Sequence, residues 1–531
     1  MQTERGTLKT RRHWSVTLLL GSALAVISLA FFSLDGSTAA QQKKSDKDAA
    51  IEKALLRATQ KVQTAHLKQL KKIAAWASKT GLEDEAKGLL QTMRRLDRQY
   101  RGRKKLEKRV EKNLAESEAS SDPDEARATL EKKIQAANEK NAKRLFGLAS
   151  KCMKAGLFTR AYDLVNAVIE ADPDHKRARS ILSYAFDRKE KEWITKWEAK
   201  MRKKYFLTDE GWVKKADKKK WNKSLRPYLG KWLTVQEEAR LRRRNEYNPF
   251  RVETEHFEVL TNLGRKQAFE FALLLEDFYR EFFRFFIGYY DQTKATKLLF
   301  KQADLKKKHR VMVFPSRAKY LTFLKSEKGN DELLVRSAGF YTSGDAQSYF
   351  YWSDNLSGVL DTLYHEVTHQ LLAETKDGGS TSGKVWLVEG IATYMESWQK
   401  IKGKWRPGSR IDSPGMLGIQ RLMAESSDFN LRAYIGLDHK QFHEPSSRSY
   451  NYEMGGALCH FFLHYGDEVY REDFIEFLKD YYSGKASGDS LLDYLHVEGE
   501  AETFATLEKQ FKKYMTGLGK AKAGKGDTQE S

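Results

Sequence analysis

The residue pattern of the chain changes near residue 250, and this change limits the architecture that the chain can adopt. Residues 49–250 are rich in Ala, Leu, Lys, Glu and Arg and nearly free of strand-like runs, which predicts helices. After residue 251, alternating runs such as 254–262 stand between helical stretches, which predicts a mixed region. Because the 531 residues exceed one ordinary domain, we expect an α+β protein whose first part is all helical.

The charge of the chain changes at the same place. The formal net charge is +22, and residues 51–250 hold 50 Lys and Arg against 28 Asp and Glu. Residues 251–531 hold 37 against 40, so the basic character belongs to the first half alone. This asymmetry predicts different roles for the two halves. A basic half suits binding of a protein partner, a substrate or an envelope polymer.

Residues 1–40 are typical of an export signal. Basic residues from Arg5 to Arg12 precede the apolar run 16–32, and small residues follow before Ala40, where we predict cleavage. The apolar run is long for such a signal, so an uncleaved membrane anchor through residues 14–33 stays open. Either alternative predicts an exported protein, which would be periplasmic, attached to the cell envelope or secreted.

Cysteine usage gives a further expectation for an exported chain. The sequence has only two cysteines, Cys152 and Cys459, and each lies in a helix-like apolar pattern. This pattern favours two buried thiols over a disulfide framework.

Two stretches of the predicted helical region, residues 41–187, look like helical hairpins. Residues 141–185 have the pattern helix, turn, helix, turn, helix, with Gly156 at the first turn and the small Ala161 where two helices can approach. This pattern resembles a tetratricopeptide repeat, and residues 66–96 look like a degenerate copy. Since such arrays usually need three or more units, a generic helical bundle stays open as the alternative.

Residues 188–250 are predicted to be a basic helical connector. The segment contains five tryptophans: Trp193, Trp197, Trp212, Trp221 and Trp232. Basic residues interleaved with aromatic ones can bind an acidic or saccharide polymer. The plainer interpretation is a solvated helical face with tryptophans packed beneath it. Nucleic acid is disfavoured because the chain is expected to be exported.

The stretch LYHEVTHQLL, residues 363–372, carries the strongest chemical signal. His365, Glu366 and His369 match H-E-x-x-H, and histidines four residues apart on a helix lie on one face, where both can reach a single zinc ion. An apolar stripe is expected on the opposite face to hold this helix to a core: Leu360, Leu363, Val367 and Leu371.

A catalytic zinc site usually has three protein ligands, so a third one is needed. Residues 384–398, KVWLVEGIATYMESW, form a second predicted helix in which Glu389, Thr393 and Glu396 share one face. The Gly- and Ser-containing loop before it can return this helix alongside the first. Glu389 is therefore the expected third ligand, with a surface carboxylate as the plainer alternative.

HEVTH followed by WLVEGIATYME resembles the gluzincin, or thermolysin-like, zinc metallopeptidases, and in particular a secreted bacterial branch. The resemblance is specific over residues 338–398 and extends less clearly over 251–490. It implies a zincin-like domain, to which we assign residues 251–515, that hydrolyses peptide bonds. It also implies that His365, His369 and Glu389 bind one zinc ion and that Glu366 is the general base.

Some positions depart from that family. Thermolysin has an aspartate four residues after the third ligand, where this chain has Thr393; Glu396, one turn further, is expected to orient a zinc histidine instead or to be a surface charge. The residue that stabilises the oxyanion is expected beyond the third ligand. Tyr452 is our first choice, with Tyr450 and His443 as alternatives, and an aromatic packed in the core is the plainer interpretation.

Further expectations concern a hairpin, the C-terminal tail and the alternative functions. Residues 338–352 are predicted to form a hairpin whose edge could bind substrate as an added strand. Residues 516–531 are predicted to be a disordered tail. The main functional alternative to a peptidase is a helical-repeat interaction protein with a degenerate or structural zinc domain. Hydrolysis of a non-protein amide by the same chemistry is a third possibility.

Overall fold

The computed structural model describes residues 46–96, 122–244, 248–290, 292, 308–328, 337–353, 356–375, 384–401, 403–425, 429–466, 468–495 and 503–523. The predicted export signal, residues 1–40, lies outside these ranges. Among the helices that are described, none is long and apolar enough to cross a membrane. The described chain is mixed α+β and mostly helical, and it divides into two compact units that meet in sequence between Tyr184 and Ala185.

The first unit is helical, as expected, and contains two similar helix–turn–helix hairpins. In both turns a glycine with positive φ, Gly81 at 74° and Gly156 at 79°, ends the first helix. The residue after each glycine donates its N–H back to the preceding helix, from Leu82 to Ala77 and from Leu157 to Cys152. The helices of this unit are α1 (Asp46–Lys79), α2 (Glu83–Leu96), α3 (Pro123–Lys154), α4 (Phe158–Ala171) and α5 (Lys176–Ile181).

Small residues let the paired helices approach closely. Ala86 on α2 and Ala161 on α4 occupy equivalent places, four residues after the turn, and neither is exposed to solvent. The two hairpins therefore pack their helices in the same way. The described part of the first unit contains two such hairpins. Cys152 on α3 is fully buried, as is Cys459 in the second unit, so both predicted buried thiols are confirmed.

The second unit begins with three β-hairpin–helix repeats, so the prediction of a helical connector over residues 188–250 was wrong. Trp193, Trp212 and Trp232 occupy the second strand of successive hairpins, 19 and 20 residues apart. We name residues 184–244 the repeat segment. Its elements are β1 (Tyr184–Asp187), β2 (Glu192–Thr195), α6 (Lys196–Lys204), β3 (Tyr205–Thr208), β4 (Gly211–Lys214), α7 (Lys218–Asn222), β5 (Leu225–Tyr228), β6 (Lys231–Thr234) and α8 (Val235–Arg244).

The hairpins form because each pairs strand-forming residues across a tight turn. Lys191, Gly211 and Gly230 have positive φ next to the second strands, and each tryptophan is followed by an aliphatic residue that packs inward. The repeat segment packs on the rest of the second unit, because Gly211 lies against Val252 and Phe269.

A five-stranded sheet, in the order β10-β11-β9-β8-β7, forms the centre of the second unit. The β7–β8 and β10–β11 pairs are antiparallel, whereas β9 is parallel to both of its neighbours. The predicted hairpin within residues 338–352 is confirmed, and its first strand is the edge of the sheet. The strands are β7 (Phe250–Glu253), β8 (Phe257–Thr261), β9 (His309–Phe314), β10 (Gly339–Thr342) and β11 (Gln347–Tyr351).

Helices cover this sheet and extend the unit towards its C-terminal end. A long aromatic helix, residues 265–285, packs on β7 and β8 through fully buried residues such as Phe278 and Phe282. The remaining elements are α9 (Arg265–Phe285), α10 (Arg317–Phe323), α11 (Leu356–Thr375), α12 (Val385–Glu396), β12 (Gln399–Ile401), β13 (Lys404–Arg406), α13 (Pro414–Glu425), α14 (Leu431–Ile435), α15 (His439–Phe442), α16 (Arg448–His464), α17 (Arg471–Tyr482), α18 (Leu491–Tyr494) and α19 (Phe504–Ala523).

Residues 516–523 are helical, so the prediction of a disordered tail over residues 516–531 was wrong for this part. Helix α19 continues to Ala523, because Leu507, Phe511 and Met515 bury one of its faces completely and Lys and Ala extend it. Residues 524–531 lie outside the described part of the chain.

Candidate metal centre

Helix α11 has the two faces that the sequence predicts. Leu363, Val367 and Leu371 of the predicted apolar stripe are completely buried, whereas Leu360 is only partly buried. His365 and His369 lie on another face with their ring centroids 4.9 Å apart. Burial of the stripe fixes the rotation of the helix, so both imidazoles are presented in one direction.

Helix α12 brings Glu389 to these histidines because it crosses α16 at glycines. A Cβ atom at Gly390 would lie 2.7 Å from the carbonyl oxygen of Gly455, closer than any side chain allows. The backbones of the two helices therefore touch at this point. The glycine that follows Glu389 in the sequence is required by this crossing, and the crossing in turn fixes the position of the carboxylate.

The three predicted ligands converge. Their ligand atoms all lie within 4.8 Å of one another, the distance range of a single ion's coordination sphere. A Glu389 carboxylate oxygen lies 3.3 Å from Nε2 of His365 and 3.5 Å from Nε2 of His369. Two imidazole nitrogens and one carboxylate oxygen form a donor set that suits zinc, with room for a water as fourth ligand.

Glu396 contacts the ring nitrogen of His365 that faces away from this centre. Its Oε1 lies 2.7 Å from Nδ1, and a proton on Nδ1 leaves Nε2 free to bind a metal. Arg410 approaches the backbone carbonyl of Glu396 at 3.5 Å and also pairs with Asp361, which ties the end of α12 to α11. The geometry thus places Glu396 where an orienting residue belongs.

The sequence predicts that Thr393, on the same face of α12 as Glu389 and Glu396, lies close to the zinc ligands and could support them, but its side chain makes a different contact. A Cβ atom at Gly456 of α16 would lie 2.9 Å from Cγ2 of Thr393, which means that the threonine packs against the neighbouring helix. Within the described part of the chain its buried hydroxyl has no hydrogen-bond partner. The residue therefore fills the crossing of α12 and α16 and does not orient a histidine.

Glu366 points towards the edge strand of the sheet. The backbone N–H of Tyr341 on β10 donates to its Oε2 at 2.9 Å. Burial raises the pKa of the Glu366 carboxyl, although the adjacent imidazoles of His365 and His369 act in the opposite direction. The Tyr341 contact could not be predicted from the sequence, because a backbone donor carries no residue preference.

A buried polar row runs along α11 from Glu366. Glu374, two turns further on, accepts hydrogen bonds from the Tyr341 side chain and from Gln370, the latter at 3.0 Å. Gln370 in turn accepts from the Ser348 hydroxyl of β11 at 2.9 Å, and the buried His309 ring also contacts Glu374. This row was missed by sequence reasoning, and it fixes β10 and β11 against the helix that carries the histidines.

Tyr452 is the oxyanion candidate that the fold brings to the site. Its ring is stacked 6.3 Å from the ring of His365, and its hydroxyl forms a hydrogen bond with Glu389. Burial, followed by the Glu389 carboxylate, raises the pKa of this phenol, so the hydroxyl stays protonated and can donate. Tyr450 instead lines a separate cavity of about 340 Å³ beside Phe429.

His443, the other alternative, lies behind Tyr452, with the two ring centroids 6.0 Å apart. Burial lowers its pKa, and the nearby His439 adds to this effect. A neutral imidazole at this place can support Tyr452, but Tyr452 is the residue in contact with a predicted ligand.

Opposite charges on the predicted metal ligands stabilise one another within the protein itself. Burial on its own would raise the pKa of Glu389, yet His369 and His365 outweigh this and lower it. Burial would likewise lower the pKa of His365, but hydrogen bonds to Glu389 and Glu396 raise it. The carboxylate is thus ionised and ready to bind a cation.

Comparisons with known families fit this division of the chain. Residues 118–183 match the family model of the tetratricopeptide repeat, so the first unit contains a tetratricopeptide-like repeat. Residues 359–485 match a family described as a protein of unknown function, DUF1570, and this range includes His365, His369 and Glu389. A comparison with curated proteins gave no match. The second family model therefore marks the site region without assigning an activity to it.

Proposed function

We propose that residues 251–515 are a zincin-like, gluzincin-type peptidase domain that hydrolyses peptide bonds in an exported protein. The observation that carries this proposal is the convergence of His365, His369 and Glu389 on one point, with Glu366 beside them. An acidic residue next to the first histidine, on a helix whose opposite face is buried, is the arrangement that H-E-x-x-H hydrolysis needs.

The chain's own residues divide the chemistry between them. His365, His369 and Glu389 would hold one zinc ion, which lowers the pKa of a bound water and polarises the carbonyl of the substrate. Glu366 takes the proton of the attacking water and passes it to the leaving amine. The hydroxyl of Tyr452 donates a hydrogen bond to the oxygen on which negative charge develops. Glu396 keeps the proton on Nδ1 of His365.

The edge strand suits binding of an extended peptide. Within the described residues, strand β10 pairs only with β11, and it lies against α11, next to Glu366. A peptide added along this edge would have its backbone fixed by strand hydrogen bonds, close to the general base. The tetratricopeptide-like repeat in the first unit supports a protein partner, because such repeats generally bind other proteins.

Metal analysis and a single substitution test this proposal. The purified protein is expected to contain one zinc ion per chain, and His365→Ala is expected to lose it. Glu366→Gln is expected to retain zinc but to lose cleavage of peptides from a broad library, by at least about a thousandfold. Glu425→Gln, an exposed carboxylate on α13, is the matched control. Protein without zinc at His365 would contradict the proposal.

The tetratricopeptide match favours a second candidate, an interaction protein whose metal site is structural. In that case zinc is present and its removal lowers the thermal stability, but no peptide is cleaved. Zinc retention in Glu366→Gln is common to both candidates. Cleavage by the unmodified protein, and its loss in this variant, decides for the peptidase.

A further inference from the structure

The repeat segment has an unusually uncompensated positive surface. Residues 184–244 contain 20 Lys and Arg but only 9 Asp and Glu. Arg202, Arg226 and Arg242 form ion pairs with most of these acidic residues. The acids they contact are Asp187, Glu192, Glu198, Glu210 and Glu238. Because Arg226 and Arg242 are buried, these pairs hold the hairpins together. Among the exposed lysines Lys189 pairs with Glu190, whereas Lys219 and Lys223 have no ion pair within the described residues.

Each of the three hairpins also exposes an apolar side chain. Phe186 is 46% exposed, Leu207 is 51% exposed and Leu229 is 73% exposed. Phe186 and Leu207 have equivalent places, the third residue of the first strand, next to the tryptophan of the second strand. Leu229 lies at the turn of the third hairpin, where it has φ of 45°. Exposed apolar residues repeated among lysines are unusual on a surface that contacts only water.

The aromatic faces beside these residues are already occupied within the protein. Trp212 receives the edge of Trp197 at 5.9 Å, and Lys220 lies 4.6 Å from the ring centre of Trp232. Arg226 lies 3.6 Å from the ring centre of Trp221. Nucleic-acid bases and sugar rings bind such surfaces by stacking on open aromatic faces, and these contacts occupy part of that area on Trp212, Trp221 and Trp232. The exposed leucines instead offer contact to the aliphatic side chains of a polypeptide.

We propose that the repeat segment binds an acidic, leucine-containing stretch of a polypeptide, and that this stretch belongs to the protein substrates of the metal centre. The substrate assignment rests on the proposed peptidase function, because the repeat segment and the candidate metal centre lie in the same compact unit. Acidic side chains of the ligand meet the uncompensated lysines, and its leucines cover Phe186, Leu207 and Leu229. The repeat segment thus selects substrates through contacts that lie outside the candidate metal centre.

Binding can be measured without hydrolysis in the full-length Glu366→Gln protein. The probe is a fluorescent peptide of alternating Glu and Leu, and its partner is the same peptide with Gln in place of Glu. We expect the acidic peptide to bind, the Gln peptide to bind at least about tenfold more weakly, and added salt to weaken the former. Fluorescence anisotropy gives the dissociation constants.

Two variants test the surface itself. Leu207→Ser is expected to weaken binding about fivefold, and Lys219→Glu combined with Lys223→Glu about tenfold. Matched controls are Leu417→Ser, at a leucine that is 39% exposed on α13, and Lys509→Glu, at an exposed lysine of α19; neither is expected to change the affinity. Thermal unfolding shows that each variant is folded.

Several outcomes would overturn the proposal. These are equal affinity for the acidic and Gln peptides, unchanged affinity in the repeat-segment variants, or tighter binding of a single-stranded oligonucleotide or of polygalacturonate than of the acidic peptide. Failure of the peptidase function is distinguishable from these results. If the protein cleaves no peptide but binds the acidic peptide through Leu207 and Lys219, the proposed binding site stands. Only the statement that its ligands are substrates is then wrong.

Discussion

The backbone N–H of Tyr341 donates to the carboxylate of Glu366, and the side chain of the same tyrosine donates to Glu374 two turns along the helix. One residue of the edge strand is therefore held at two points by the helix that carries both histidines. The position of the proposed general base and the position of the proposed substrate-binding edge are coupled through this residue.

Tyr341→Phe removes one of these two attachments and should reveal the coupling. Loss of a buried hydroxyl contact costs about 1 kcal/mol of unfolding free energy. We expect the zinc content to be unchanged and kcat for peptide cleavage to fall by about three- to tenfold, since the edge strand loses its register against Glu366. Steady-state kinetics with one cleaved peptide measures this.

The control for that variant is Tyr349→Phe in the partner strand, whose hydroxyl donates to Asp345 in the turn of the same hairpin at 2.9 Å. A similar fall in kcat for both variants would mean that general weakening of the hairpin is responsible, and the coupling through Tyr341 would be wrong.

Glu396 and Thr393 lie one turn apart on α12 and are expected to respond differently to substitution. Glu396→Gln weakens the hold on Nδ1 of His365, so we expect zinc affinity to fall by about 10- to 100-fold. Thr393→Val removes a buried hydroxyl without a partner in the described structure, so affinity should stay the same and stability should stay equal or rise. Competition with a chelator measures the affinities.

The contrast between these two residues shows what the sequence could predict. Histidines four residues apart and the buried stripe behind them depend on helix geometry alone, so His365, His369 and the rotation of α11 were predictable. The place of Thr393 depends on α16, which is distant in the sequence. Gly456 of that helix receives the threonine, and no local pattern contains this information.

The β-hairpins of the repeat segment could not be recognised by their strand pattern, for a different physical reason. Its strands are only four residues long and alternate with lysine-rich turns and helices, so they lack the long alternating pattern by which strands are recognised. The available signal was the recurrence of tryptophan followed by an aliphatic residue at 193, 212 and 232. A search for internal repeats of about 20 residues would have found it.

Gly390→Ala tests whether the helix crossing positions the third ligand. The added methyl group would meet the backbone of Gly455, so we expect a loss of about 2 kcal/mol or more of unfolding free energy and weaker zinc binding. Gly418→Ala is the matched control, because a Cβ atom there meets nothing within 4 Å and the residue lies in helix α13. It should be neutral or stabilising by about 0.5–1 kcal/mol. Denaturant unfolding of both variants gives the comparison.

A buried histidine pair outside the metal centre should make the second unit sensitive to acid. His460 contacts the Gly408 carbonyl at 3.0 Å and the Tyr514 hydroxyl at 2.8 Å, while His464, its neighbour on α16, contacts Tyr394 at 2.7 Å. Burial lowers the pKa of His460 from 6.5 to about 4, and burial together with His460 and Arg471 lowers that of His464.

The direction of the pH effect follows from these lowered values. Between pH 6.5 and about 4 the unfolded chain binds a proton at position 460 that the folded chain does not, so stability falls as the pH falls through this range. The shift corresponds to about 3 kcal/mol from His460 alone. His460→Gln is expected to be less stable at pH 7 but to lose less stability between pH 7 and 4.5. Equal pH slopes of the unfolding free energy in the two proteins would show that His460 does not cause the acid sensitivity.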